Sequence, residues 1–248
     1  MDNTSTVMEH MEIQSLFFHH PTMRETDLEI SIEAGSGIDL GWISSTKVSL
    51  LYDGTLIGEA SLKDNYIIPN EYNMINLVLQ KIEIRNMIAF KALIRHVIPQ
   101  PRDRCQLEDK APSAALEILE NGHTLSMVIN LDNMGVAKAL DPIVRHIGDK
   151  IEITFVVRNP TNVIIFFDKT HFKLQKDGRT LATLEGTFFL IGSTDDDQQY
   201  VLTGNLNPYI RLFGTAVLKG VCLDEDADTW FIHAIRQFEM EINLDNVI

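Results

Sequence analysis

Cysteine is almost missing from this chain: Cys105 and Cys222 are the only two in 248 residues, and neither sits in a CxxC or a Cys/His cluster. No disulfide framework and no cysteine-ligated zinc site can be built from them. One disulfide is geometrically open, but two thiols in a reducing compartment are the expectation. Positive charge is also scarce, with 21 Lys and Arg against 35 Asp and Glu and a net charge of -14. Such an excess repels phosphate backbones and anionic lipid headgroups, so neither nucleic acid nor a membrane surface is an expected partner. No run approaches the roughly 18 apolar residues that cross a bilayer, and the first residues, MDNTSTVMEH, lack a basic leader. No membrane anchor is expected, and a cytoplasmic location is. Walker, GxGxxG, HExxH and GxSxG patterns are all absent, which removes the usual nucleotide, zinc-protease and serine-hydrolase sites. No cofactor and no metal are expected.

What is present is the composition of an ordinary globular chain, 45% hydrophobic and 23% charged, long enough for one large domain or two of about 100–150 residues. Its dominant pattern is alternation. DLEISIE from Asp27 puts Leu28, Ile30 and Ile32 on one side and acids on the other, the period of a half-buried strand. KVSLL from Lys47 and a return from Thr55 flank Asp53-Gly54, a hairpin dipeptide. Residues 74–85 read as a strand, and 89–98 as either strand or helix. Residues 65–70 and the Pro-rich 99–112 read as loops.

Helix formers and a following Asn121-Gly122 predict a short helix over 113–120, then a strand from Thr124. Val136, Leu140, Val144 and Ile147 recur near helical spacing, interrupted by Pro142. The clearest run of strands is Ile151 to Gly178, broken by Asn159-Pro160 and closed by Asp177-Gly178. Strands follow over 179–191, 200–205, 213–221 and 239–244. A helix over 230–238 precedes the last of these, with Asp228 as its N-cap.

The two halves echo each other. Asp53-Gly54 is matched by Asp177-Gly178, and the pentapeptide INLDN closes both halves at 129–133 and 242–246. An ordered series of break, strand, Asp-Gly, strands, helix and INLDN points to duplication. The expected fold is mainly β, with two tandem immunoglobulin-like antiparallel sandwich domains over 11–133 and 134–248, each with one short late helix.

The second half resembles the group-2 late embryogenesis abundant (LEA) domain, of the water-stress and hypersensitive-response type. The likeness rests on ITFVVRNPT, on FKLQKDG and on the small Ala182 beyond it. The tandem arrangement, with Trp230 on a helix before the last strand, looks like fungal two-domain proteins of unknown function. In the first half Gly35-Ser36 stands where the second has Asn159-Pro160. The resemblance implies a LEA-like sandwich fold and carries over no catalytic residues.

Trp230, His233 and Arg236 on the late helix are the foremost ligand-binding candidates. Trp230 and His233 share a face beside the stripe of Phe231, Ile235 and Phe238. The plain alternative makes Trp230 core and His233 exposed. His171, opposite the inward Phe172, and Trp42 are further candidates. His19-His20 offers two metal donors without a third beside them in sequence, and reads as a surface pair. Asp195-Asp196-Asp197 lacks the alternation and glycine of a calcium loop. Three functions suit this inventory: a module binding a hydrophobic small molecule or a protein partner, a cofactor-free cyclase or isomerase of fungal secondary metabolism, and a LEA-like stress protectant. Oligomeric state is not readable.

Overall fold

The computed structural model describes residues 11–34, 41–67, 74–100, 115–121, 124–130, 136–192, 197–208, 210–221 and 229–247. Among them the alternating runs become strands, and the chain is mainly β, as its pattern predicts. In the first half β1 (Met11–His19), β2 (Glu25–Ala34), β3 (Gly41–Tyr52), β4 (Thr55–Ile67) and β5 (Met74–Ile84) pair in the order β1-β2-β5-β4-β3. In the second half β8 (Lys138–Ile147), β9 (Lys150–Arg158), β10 (Val163–Lys176), β11 (Arg179–Leu190) and β12 (Gln198–Leu206) pair as β8-β9-β12-β11-β10. The connectivity of the two series is the same.

Both Asp-Gly hairpins turn with positive φ at the two central residues, 48° and 65° at Asp53 and Gly54, 49° and 75° at Asp177 and Gly178. This is the turn whose twist matches that of the strands it joins.

The series meet where β1 runs parallel to β10, with Leu16 opposite Val163. Beyond β3 lie β7 (Thr124–Asn130), also parallel, and then β6 (Ala115–Asn121). Beyond β10 lie β13 (Thr215–Val221) and β14 (Glu239–Asn243), both antiparallel. All fourteen described strands thus belong to one hydrogen-bonded mixed sheet. The antiparallel pairing expected within each half fails at β3 with β7, and the halves themselves join in parallel at β1 with β10; these partners are far apart in the chain and no hairpin dictates their direction.

Three local expectations are corrected. Residues 115–121 form a strand rather than a helix, since Leu116 and Ile118 fall opposite Ile129 and Met127 in a hairpin, and cross-strand pairing overrides the helix propensity of Ala, Leu and Glu. Residues 138–147 are likewise a strand. Asp141 there adopts φ 52°, the register shifts between Leu140 and Ile143, and Pro142 stands in the irregularity. A proline is tolerated in β8 because β8 is the end of the sheet order. Finally β4 runs on to Ile67, into the expected loop.

The ambiguous segment is α1 (Met87–Val97). Asn86 Oδ1 caps it, accepting from the N–H groups of Ile88 (3.1 Å) and Ala89 (3.0 Å). Its buried face is Ala89, Phe90, Leu93, Ile94 and Val97. The late helix α2 (Trp230–Ile235) is shorter than 230–238; Thr229 occupies its N-cap position, and Asp228 lies outside the described residues. So do both cysteines.

One apolar cluster runs through both halves, joining Leu16, Phe18 and Phe90 to Phe155, Phe172, Phe188, Trp230 and Phe238. The Asn159-Pro160 break is a buried hydrogen-bonded corner: Asn159 Nδ2 donates to the Val163 carbonyl (3.0 Å), while its Oδ1 accepts from the Thr161 amide (3.1 Å) and hydroxyl (2.7 Å). No described helix is long and apolar enough to cross a membrane.

Candidate functional site

The two helices come together although they lie far apart in sequence, and backbone hydrogen bonds hold them there. The Trp230 amide donates to the Thr22 carbonyl (3.2 Å), tying α2 to the turn between β1 and β2. The Ala137 amide donates to the His96 carbonyl (3.0 Å) and the Glu239 amide to the Pro99 carbonyl (3.2 Å), tying the end of α1 to the second half. Gly220 in β13 lets α2 lie flat on the sheet, because a Cβ there would overlap the Ile235 carbonyl.

Between α1, α2 and the β1–β2 turn lies a groove of 170 Å³ that opens to solvent. Its floor is apolar, made by Met23, Met87, Phe90, Ile94, Trp230 and Ala234. Polar groups come from both helices, Lys91 and Arg95 from α1 and His233 and Gln237 from α2. Lys91 and Arg95 are exposed and one helical turn apart, so they stand on one side of the groove. Trp230 is only 2% exposed, stands edge-on to Phe18 and Phe90, and its indole Nε1 has no hydrogen-bond partner.

Of the candidates read from sequence, Trp230 and His233 line this groove together, Trp230 as a core residue that also forms its floor. Arg236 is exposed and not among the lining residues. His171 is elsewhere, on the outer side of β10, with Nδ1 4.0 Å from Glu185 Oε2. Trp42 lies in β3 opposite Tyr66, and its side chain is outside the described residues. The α1 contribution was not anticipated. Its signal was Asn86 followed by apolar residues at helical spacing.

Electrostatics elsewhere are those of ordinary ion pairs. Arg158 grips Asp197 through two bonds of 2.9 Å, holding that carboxyl below its usual range. Asp195 and Asp196 lie outside the described residues. Tyr200 is pushed well above the ordinary phenol range by burial, and its hydroxyl donates to the Phe189 carbonyl. No family model matches the chain, and no curated protein does.

Proposed function

We propose that this protein is a cofactor-independent binding module that takes a hydrophobic small molecule in the groove between α1 and α2. The observation that carries the reading is an apolar floor with Lys91 and Arg95 at its side in a chain of net charge -14. Local cations in an otherwise acidic molecule favour a ligand whose apolar body ends in an acidic group. The volume is below the roughly 300 Å³ at which drug-sized pockets begin, so the groove suits a short aliphatic or single-ring body. The scaffold is read as two LEA-like sandwich units in tandem, supported by the repeated strand order and the paired Asp-Gly turns.

The test is calorimetric titration of the full chain with decanoate and with decanol. Saturable decanoate binding, weaker for decanol and for Arg95→Glu and abolished by groove-filling Met87→Trp, is the expected result. Binding that persists undiminished in Met87→Trp, or no binding at millimolar decanoate, overturns the proposal.

A second reading, a cofactor-free cyclase or isomerase, draws on the convergence of His233 and Gln237 with Lys91 and Arg95 from the opposite helix. Oriented donors beside an apolar body can hold a reactive conformer and polarise a carbonyl. The open mouth favours binding over this, since chemistry of that kind gains from excluding water. Catalysed turnover of a polyene or polyketide aldehyde, lost in His233→Ala, would reverse the order.

A further inference from the structure

We propose a second site, on the opposite end of β1 from its N-terminus, where His19, His20 and Asp27 form a centre for one divalent first-row transition ion of the zinc type. Donor atoms of the three side chains all lie within 4.8 Å of one another. Adjacent residues of a strand ordinarily point to opposite faces. Here His20 has φ 45°, a left-handed conformation that is uncommon for a residue with a side chain, and it turns the second ring back beside the first, with centroids 4.7 Å apart.

The third donor comes from the return strand. Asp27 stands opposite His19 in the β1–β2 register, and its Oδ2 is 2.9 Å from His20 Nδ1. Neighbouring donors around one ion with bonds of about 2.1 Å lie roughly 3.0–3.4 Å apart. The His20 and Asp27 atoms are therefore nearly at ligand spacing already.

The surroundings orient these groups. Asp27 Oδ1 accepts from the Lys81 amide (2.8 Å), where Lys81 itself has φ 53° and the β2–β5 register shifts nearby. That bond fixes the carboxylate and leaves Oδ2 for the ion, the role outer partners play around ligating side chains. The His19 ring stacks on Phe17 at 4.9 Å. Its Nε2 lies 3.3 Å from Glu29 Oε1, close enough for an ion pair when the ring is protonated but outside hydrogen-bond geometry, so this buried nitrogen has no hydrogen bond. Glu29, the nearest oxygen to this nitrogen, stands at the edge of the cluster. The His20 side chain is 76% exposed, so solvent leaves its ring room to reorient about an ion. Two imidazoles with one carboxylate suit zinc, cobalt, nickel or copper, whereas calcium and magnesium require more oxygens.

The experiment is titration of the full chain with Co2+, followed by ligand-field absorption, then displacement by Zn2+. One saturable equivalent, displaced by Zn2+, is expected for the native chain and for His146→Asn, which removes an exposed histidine on β8. His20→Asn, at an exposed turn position, is expected to weaken Co2+ binding at least about tenfold, with an unchanged circular dichroism spectrum. Asp27→Asn is expected to do the same, but because it also touches the Lys81 bulge the decision rests on His20→Asn. Absence of a saturable band in the native chain, or a band of equal affinity in His20→Asn, overturns the proposal.

Discussion

The indole of Trp230 stands at 89° to the ring of Phe90, centroid to centroid 5.0 Å, and this contact joins the late helix to a helix from the other half of the chain. Edge-to-face pairs are worth about 0.5–1.5 kcal/mol beyond the area they bury. A double-mutant cycle between Trp230→Leu and Phe90→Leu, read by urea unfolding, should give coupling in that range. Trp230→Ala should cost about 3–5 kcal/mol as a cavity. Trp230→Phe should cost much less, because it removes a buried N–H that has no partner and whose desolvation costs about 1–3 kcal/mol. A Trp230→Phe variant as unstable as Trp230→Ala would mean that the indole N–H is satisfied in solution.

Gly220 and Gly148 separate two reasons for a glycine. At Gly220 a Cβ would overlap the Ile235 carbonyl, so Gly220→Ala must lift α2 from β13. A large fall in melting temperature and loss of decanoate binding are expected together. At Gly148, φ is 65° with nothing within 4 Å of a Cβ, so Gly148→Ala meets only backbone strain of about 1 kcal/mol, and ligand binding should survive. If the two variants are equally mild, α2 does not rest on the sheet as described.

The corner at Asn159 makes a sharper test of buried polar satisfaction. Asn159→Ala removes the partner of the Val163 carbonyl and of both the Thr161 amide and hydroxyl. Each buried group left unpaired costs about 1–3 kcal/mol, so the loss should exceed 2 kcal/mol in urea unfolding. The double replacement Asn159→Ala with Thr161→Val should cost less than the sum of the two single changes, since it removes both sides of one bond.

The architecture was legible where a local rule coincided with tertiary need. Asp-Gly demands positive φ at both turn positions, and the four angles at Asp53, Gly54, Asp177 and Gly178 comply. Alternation of Leu28, Ile30 and Ile32 became a buried strand face. Local rules were outweighed where the partner strand decided. Residues 115–121 have helix formers yet pair with β7, and Pro142 reads as a helix break although its place is the irregular end strand. The groove was half legible. Trp230 and His233 announce themselves on one helix face, but Phe90, Lys91 and Ile94 belong to the other half, and nothing local links them to α2. The third donor of the histidine cluster was hidden for a similar reason: Asp27 reaches His20 only because β2 folds back on β1 and His20 adopts a left-handed φ.

Acid should weaken the fold through a small set of carboxylates. For Asp27, burial raises the pKa, but the Lys81 amide and the neighbouring His20 and His19 outweigh it and hold the carboxyl below its usual value. Glu59 is lowered by Lys47 first and by Arg85, Glu185 by Lys169 and Asp197 by Arg158. A folded pKa below the unfolded one contributes stability that is fully present above the unfolded value and is lost as pH falls through the folded one. With unfolded carboxylates near about 4, the melting temperature should be insensitive to these groups above pH ~5 and decline below pH ~4. The exposed pairs at Glu185 and Asp197 are screened by solvent and contribute little each, so the partly buried Asp27 and Glu59 should dominate this part of the acid limb. Asp27→Asn should therefore flatten the melting-temperature profile between about pH 4 and 2 more than Asp197→Asn does. Equal flattening by the two variants would show that the Lys81 amide and the histidines do not hold Asp27 ionised in the folded chain.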